Sequence, residues 1–199
     1  MNRTFGIDGC KSGWIVAELK DNKNIVFSLI QNLNQINEIT KKSVIIGIDI
    51  PLELHQRGKR MAEKEARIFL GSRASTIFSP PATRALYATT YSEACKINFK
   101  EAGVKISKQT WYIFNKIKEA REIYLDKLSN KNLYEIHPEL SFMAMNNMRV
   151  IKDSKKTVEG RRKRLKLIKE FYPSFDFQII RDKFLRKDVA DDDLSLIHI

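Results

Sequence analysis

Two short apolar runs that each end in aspartate decide how this chain folds: Thr4-Phe5-Gly6-Ile7-Asp8-Gly9 and Val44-Ile45-Ile46-Gly47-Ile48-Asp49-Ile50-Pro51. Runs of this length and composition, each closed by glycine or proline, predict buried β-strands. If the two strands are neighbours, Asp8 and Asp49 meet at one edge of a sheet, where their oxygens could bind a hard divalent cation. The alternative is that each aspartate only caps the turn after its strand.

The length and composition are typical of a globular chain with one domain, with or without an inserted subdomain. The 199 residues carry a formal charge of +12, and residues 152–187 hold 13 Lys/Arg against 5 Asp/Glu. This clustered charge favours nucleic acid as a partner; the alternative is a generally lysine-rich composition. No apolar run is long enough to span a membrane, and two cysteines make no disulfide framework, so we expect a cytoplasmic protein without membrane association. The sequence does not indicate an oligomeric state.

The remaining pattern predicts an α/β fold with a mixed sheet. Strands are predicted at 3–8, 13–19, 24–30, 44–49 and 133–137. Helices are predicted at 33–42, 59–70, 91–102, 107–128, 139–145, 157–172, 176–184 and 188–194, with a loop at 72–83.

Carboxylates near predicted strand and helix ends supply the candidate catalytic residues. They are Asp8, Asp49, Glu135, Glu139 and the run Asp191-Asp192-Asp193. Acids gathered in this way can hold one or two magnesium ions and stabilise displacement at a phosphodiester. His137 shares a predicted strand face with Glu135, so it could orient that acid or assist proton transfer; the alternative is a hydrogen-bonded structural histidine.

Two basic segments are candidates for contact with phosphates. Arg60, Lys64 and Arg67 share one helical face, with Arg73 just beyond, although a solvated face shared with Glu63 and Glu65 is an equal alternative. In the later segment, Arg161-Arg162-Lys163-Arg164 is too dense for neighbouring acids to neutralise by i,i+4 pairing. We therefore predict a nucleic-acid-binding set: Arg60, Arg67, Arg73, Lys155, Arg161, Arg162 and Arg164.

Several motifs together resemble the family catalogued as domain of unknown function 429, whose members are predicted ribonuclease H-like nucleases. The motifs are Gly6-Ile7-Asp8-Gly9-Cys10-Lys11-Ser12-Gly13-Trp14, Ile46-Gly47-Ile48-Asp49-Ile50-Pro51, Glu65-Ala66-Arg67, Leu70-Gly71-Ser72-Arg73-Ala74-Ser75, Tyr134-Glu135-Ile136-His137-Pro138-Glu139-Leu140-Ser141-Phe142 and Lys155-Lys156-Thr157-Val158-Glu159-Gly160-Arg161. The resemblance implies a single ribonuclease H-like domain over residues 1–194. Its five-stranded mixed sheet would be flanked by helices, with a helical insertion at about 55–130 between strands four and five.

The same resemblance implies the site residues. The family's acidic positions fall on Asp8, Asp49, the Glu135/Glu139 pair and Asp192 or Asp193. Asp8, Asp49 and Asp192 would bind Mg²⁺ or Mn²⁺.

The chain departs from the family pattern at its last helix. Family members resemble D-D-x-x-D-A-L-A there, whereas Asp192-Asp193-Leu194 is followed by Ser195-Leu196-Ile197-His198-Ile199. We expect 195–199 to be an artefactual tail on a truncated copy. A further acid and most of the closing helix would then be missing, which could leave this chain inactive.

Three classes of function fit these observations. The leading one is a divalent-metal-dependent nuclease acting on DNA or RNA. The second is a non-catalytic nucleic-acid-binding or regulatory protein with the same fold. The third, an ATP-dependent phosphotransferase, is favoured only by the Asp8–Gly13 hairpin, and the chain is short for the two similar halves of that class.

Overall fold

The computed structural model describes residues 3–21, 23–39, 44–126 and 132–195 of the chain. The chain divides into two compact units. The sheet unit comprises Met1–Ile50 and Asp126–Ile199, and the inserted unit comprises Pro51–Leu125. The inserted unit overlaps the range of the predicted helical insertion.

A five-stranded mixed sheet forms the sheet unit. Its strands are β1 (Arg3–Cys10), β2 (Gly13–Lys20), β3 (Asn24–Ile30), β4 (Val44–Ile48) and β5 (Asn132–Glu135). They lie in the order β3-β2-β1-β4-β5. The first three strands form an antiparallel meander, while β4 runs parallel to both β1 and β5. The predicted α/β class, with a mixed five-stranded sheet, is confirmed.

Glycines allow close approach at two points of this sheet. Gly13 opens β2 with a φ of 140°, and a Cβ there would lie 2.1 Å from the carbonyl oxygen of Ile30. Gly47 in β4 leaves room for the side chain of Ile136, since a Cβ would lie 2.9 Å from its Cδ1. Only glycine fits at position 13, where the neighbour is backbone, whereas a larger residue at position 47 would have to displace the end of the Ile136 side chain.

The helices follow the chain in a simple order. They are α1 (Ile36–Ile39), α2 (Met61–Leu70), α3 (Tyr91–Ala102), α4 (Lys108–Tyr112), α5 (Phe114–Leu125), α6 (Pro138–Met145), α7 (Val158–Phe171), α8 (Phe177–Arg181) and α9 (Asp191–Ser195). Short 3₁₀ helices lie at Leu33–Gln35, Gly71–Thr76 and Ala85–Tyr87. No helix in the described part of the chain is both long and apolar enough to cross a bilayer.

The single helix predicted over 107–128 is wrong. It is broken at Ile113, whose N–H bonds back to the carbonyl of Thr110 at 3.3 Å rather than continuing the α-helical pattern. The ring of Trp111 packs on that of Phe114 across the break, with centroids 5.0 Å apart. The apolar periodicity therefore continues across a break that the periodicity does not reveal, and residues 127 and 128 lie outside the described residues.

Two other boundaries also differ from prediction. The segment predicted as a loop at 72–83 begins with the 3₁₀ helix Gly71–Thr76, in which the Thr76 hydroxyl donates to the carbonyl of Arg73 at 2.7 Å. The helix predicted at 33–42 starts as a 3₁₀ turn and continues as α1 to Ile39. Residues 40–43 lie outside the described residues.

One hydrophobic core joins the sheet to its covering helices. Buried side chains from β2 and β3 pack with others from α6, α7, α8 and α9; this core includes Ile15, Ala17, Phe27, Phe142, Ile168, Ile180 and Leu194. Burial of this apolar surface supplies the main stabilisation of the unit. The core also fixes α9 against β1, α7 and α8.

Candidate functional site

Strand register makes Asp8 and Asp49 neighbours. Ile7 of β1 lies opposite Ile48 of β4, so the next position on each parallel strand is an aspartate. The pairing continues beyond β4, because the Asp49 N–H donates to the carbonyl of Ile7 at 3.1 Å. Side chains at equivalent positions of adjacent strands project to the same face, so these two carboxylates share one face at the carboxyl ends of β1 and β4.

Two further acids act electrostatically on this pair. Glu135, the last residue of β5, raises the pKa of Asp49, and Asp193 on α9 raises the pKa of Asp8. The Asp193 carboxylate also accepts a hydrogen bond of 2.8 Å from the Ala190 N–H, which fixes it at the start of its helix. We call Asp8, Asp49, Glu135 and Asp193 the acidic cluster.

The surroundings of Asp8 and Asp49 oppose negative charge on these two carboxyls. Burial is the largest cause of the raised pKa of Asp8, followed by the charges of Asp49 and Asp193. Burial likewise raises the pKa of Asp49 to about 7. A carboxylate desolvated next to like charges favours its protonated form, and a bound cation would relieve that cost.

Lys155 supplies the opposing charge. Its ammonium group lowers the pKa of both Asp8 and Asp49, partly offsetting the effect of burial. It lies on the 153–157 loop immediately before α7, and its side chain is half-buried. The site therefore combines acids from β1, β4, β5 and α9 with one lysine from a fifth segment.

Gly160 makes the 153–157 loop pack closely on α7. A Cβ at this position would lie 2.0 Å from the carbonyl oxygen of Ser154. Replacing Gly160 by alanine should therefore destabilise the fold by about 1–3 kcal/mol through overpacking, although the same change in an open helix usually stabilises by about 1 kcal/mol. Urea denaturation measures this change, with Lys169→Ala on the exposed side of α7 as the control. A stabilised Gly160→Ala variant would contradict the close packing.

The donor chemistry of the acidic cluster suits Mg²⁺ or Mn²⁺, which prefer oxygen ligands. Within residues 3–21, 23–39, 44–126 and 132–195, no three side chains among histidine, cysteine, aspartate and glutamate come close enough together to hold a metal ion. Magnesium commonly binds through one or two carboxylates together with water and substrate phosphates. The residues present therefore fit a metal seated on Asp8 and Asp49 rather than a closed protein cage.

A family model described as "Protein of unknown function (DUF429)" matches residues 6–194 of the chain. The chain belongs to this family. No curated protein and no solved structure matches it.

In this DUF429 chain, the carboxylate of Glu139 is not accessible to a metal ion bound at the acidic cluster. It is 6% exposed and accepts two hydrogen bonds, at 2.9 and 2.6 Å, from the guanidinium of Arg164. Arg164 is itself 1% exposed. Neither residue can contact a phosphate or metal ion from solvent in this arrangement. The prediction of Glu139 as a catalytic residue and that of Arg164 as a phosphate contact are therefore wrong.

Asp191 also has a structural role, because its carboxylate pairs with arginines. Its carboxylate accepts from Arg181 at 3.2 Å and from Arg186 at 2.9 Å, and the guanidinium of Arg161 lies 3.8 Å away. These contacts hold the start of α9. Asp191 is therefore a partner of arginines, and Asp193 is the acid of α9 that acts on Asp8; the side chain of Asp192, predicted as a metal ligand, lies outside what the structure describes.

His137 lies two residues beyond β5 rather than within the strand. It occupies the position just before α6, is half-buried, and its carbonyl accepts from the N–H groups of Leu140 and Ser141 at 3.0 and 3.1 Å. Its backbone thus caps the helix. A role in orienting Glu135 or in proton transfer stays a prediction.

Most of the predicted phosphate-binding arginines of the inserted unit already bond to other groups of the protein. Arg60 is buried and bonds Glu63 through Nε at 3.0 Å, so it also leaves the phosphate-binding set. Arg67 is half-buried and donates to the carbonyl of Ile77. Arg73 is half-buried. In the sheet unit, Arg162 is exposed and pairs with Glu159 at 2.9 Å.

The sequence predicts Lys155 only as a phosphate contact, and that contact stays a prediction. In the structure its charge also acts on Asp8 and Asp49. A signal that could have revealed this is the glycine at 160, which marks a close approach of the preceding loop to the helix.

Proposed function

We propose that this DUF429 protein is a divalent-metal-dependent nuclease that hydrolyses phosphodiester bonds in DNA or RNA on a ribonuclease H-like fold. The observation that carries the proposal is the register-matched pair Asp8 and Asp49 at the carboxyl ends of two parallel strands. Both residues are half-buried, and both carboxyls have raised pKa values because they are desolvated beside other acids. Maintaining such an arrangement costs stability, and perturbed acids clustered in this way are typical of functional sites.

The strand arrangement supports the fold assignment. An antiparallel meander of three strands, followed by two parallel strands added next to the first, is consistent with the five-stranded mixed sheet expected of a ribonuclease H-like domain. The segment between β4 and β5 contains the inserted unit.

Each residue of the site has a role in the proposed reaction. Asp8 and Asp49 offer the oxygen ligands, and Glu135 and Asp193 add negative charge that favours a cation at the same place. A divalent ion bound there would stabilise the charge that develops on the phosphate during hydrolysis. Lys155 offers its ammonium group to a non-bridging phosphate oxygen and so favours an anionic substrate beside the acids.

The test is cleavage of labelled single-stranded and double-stranded DNA and RNA in Mg²⁺ or Mn²⁺, with EDTA as the blank. Asp8→Asn and Asp49→Asn should each lower the cleavage rate at least about 100-fold, because even outer-shell partners of a metal are worth about 10- to 100-fold. Asp182→Asn is the matched control, since Asp182 is an exposed acid bonded to Gln178 at 2.7 Å. Metal-independent cleavage, or equal rates in all variants, would contradict the proposal.

A second candidate is a nucleic-acid-binding protein without catalysis. It is favoured by the excess of basic residues in 152–187, which hold 13 Lys/Arg against 5 Asp/Glu. This candidate predicts salt-sensitive binding without cleavage, unchanged in Asp8→Asn. A steep fall in affinity for a labelled oligonucleotide between 50 and 200 mM salt, with the substrate left intact in Mn²⁺, would favour it over the nuclease.

A further inference from the structure

A buried ion pair lies beneath the 153–157 loop. Glu139 on α6 and Arg164 on α7 are joined by two hydrogen bonds of 2.9 and 2.6 Å, and both side chains are almost fully buried. The Arg164 guanidinium also lies over the ring of Phe142, 5.5 Å from its centroid. This pair is therefore enclosed by protein on several sides.

Arg164 also holds the loop itself. Its Nη1 donates to the carbonyl of Asp153 at 3.1 Å and to the carbonyl of Gly160 at 2.8 Å. The loop is closed further by Thr157, whose hydroxyl donates to the carbonyl of Ser154 at 2.8 Å. Together with the absence of a Cβ at Gly160, these bonds fix the backbone on both sides of Lys155.

We propose that Glu139 and Arg164 are positioning residues, which hold the 153–157 loop and thereby keep the ammonium group of Lys155 beside Asp8 and Asp49. The assignment of Lys155 as a substrate contact rests on the proposed function. The placement of the loop rests only on the bonds from Arg164. Neither Glu139 nor Arg164 contacts a metal or substrate in this role.

The physical argument is that a buried ion pair is a poor source of stability by itself. Desolvation of two charges offsets most of their attraction, and well-packed apolar residues often serve equally well. A guanidinium can, however, bond a carboxylate with one nitrogen and two carbonyls with another. Arg164 uses this capacity to join α6, α7 and the loop at one point.

The position of Lys155 predicts the direction in which metal affinity should change. A lysine held beside ionised acids repels a divalent cation. At a pH at which both acids are ionised, so that protons do not compete with the metal, removing the lysine should tighten metal binding even though it weakens contact with an anionic substrate. Any variant that releases the loop should have the same effect on the metal. General loosening of the fold would instead weaken metal binding.

The experiment measures Mn²⁺ affinity by isothermal titration calorimetry on the full chain. Lys155→Met should bind Mn²⁺ about three- to tenfold more tightly than the wild type. The paired variant Glu139→Leu/Arg164→Met, which leaves no unpaired buried charge, should tighten binding by a similar factor. Adding Lys155→Met to that pair should give no further gain, because the two changes act through the same group.

The control is Glu159→Gln/Arg162→Met, which removes an exposed ion pair from the same helix with the same change in net charge. It should leave Mn²⁺ affinity unchanged. If the paired variant does not fold, as judged by circular dichroism, Arg164→Lys replaces it, since lysine keeps the charge opposite Glu139 without the fork that reaches both carbonyls.

Two results would overturn the inference: a folded paired variant with wild-type or weaker Mn²⁺ affinity, or tightening that adds fully to that of Lys155→Met. If the wild type binds no Mn²⁺, the proposed metal site fails, and amide hydrogen exchange decides the positioning role. The Thr157 and Gly160 amides should then exchange at least about tenfold faster in the paired variant than in the control. Unchanged exchange at these amides would refute the positioning role independently of any metal.

Discussion

Asp49→Asn is expected to raise the free energy of unfolding of the metal-free protein at pH 8 by about 2–4 kcal/mol. The folded carboxyl has a pKa of about 7, against an ordinary value of 3.8, and each unit of difference corresponds to about 1.4 kcal/mol. Between these two pH values the folded state binds more protons than the unfolded state. Stability therefore falls as the pH rises through this window, and asparagine, which does not ionise, removes that loss.

Urea denaturation in EDTA at pH 8, 6 and 4.5 measures this effect. The gain from Asp49→Asn should shrink as the pH falls, to about 1 kcal/mol at pH 4.5, and it should vanish only below the ordinary pKa of 3.8, where the unfolded carboxyl is also protonated. Asp182→Asn should show no such trend. A variant that is less stable than the wild type at pH 8 would show that burial of Asp49 does not carry this cost.

Adding metal should reverse the order of the two proteins. At a Mn²⁺ concentration 1,000 times its dissociation constant, the wild type should gain about 4.1 kcal/mol, and a variant without the ligand should gain little. A residue whose removal stabilises the empty protein and abolishes the metal response has a role in binding rather than in folding.

Arg164→Met alone is expected to destabilise the fold by about 3–5 kcal/mol. The change leaves the carboxylate of Glu139 buried without its partner, and an uncompensated buried charge is far costlier than the pair is stabilising. It also removes the hydrogen bonds to the carbonyls of Asp153 and Gly160. Thermal or urea unfolding measures the loss.

The paired variant Glu139→Leu/Arg164→Met should recover most of that stability, because it removes both charges together. The exposed pair Glu159→Gln/Arg162→Met should change stability by less than about 1 kcal/mol. A loss below 1 kcal/mol for Arg164→Met would mean that Glu139 finds water or another partner when the arginine is removed.

The strands were readable from sequence because each is a short apolar run closed by a glycine, a proline or a polar turn. That pattern also placed Asp8 and Asp49 at strand ends. It could not show that Ile7 pairs with Ile48, since register depends on contacts between distant segments. The adjacency of the two acids follows only from the observed pairing of β1 with β4.

In α7, the spacing of the residues indicates the buried face of the helix better than their charge does. Arg164 lies in a dense basic run that predicts phosphate contact, yet Gly160, Arg164 and Ile168 recur every four residues and are all buried. The helical period of the glycine and isoleucine would have assigned Arg164 to the inner face. Its partner Glu139 could not have been identified in this way, because it comes from another helix.

Tertiary packing decides the roles of candidate residues that the sequence could name but not distinguish. Lys155 acts on the acids because of the bonds that hold its loop, which involve residues before and after it in the chain. Likewise, Asp191 and Asp193 are two residues apart, but one meets arginines and the other acts on Asp8. A run of acids alone does not distinguish these roles.

The turn between β1 and β2 is joined to a segment made much later in synthesis. The Ser12 hydroxyl donates to the carboxylate of Asp188 at 2.6 Å, across 176 residues, and the Ser12 N–H bonds the carbonyl of the same residue at 3.3 Å. Contacts between such distant segments form late because closing the long loop costs entropy. A growing chain can therefore pair Asp8 with Asp49 long before Asp193 emerges from the ribosome, so the acidic cluster is complete only after α9 has been made.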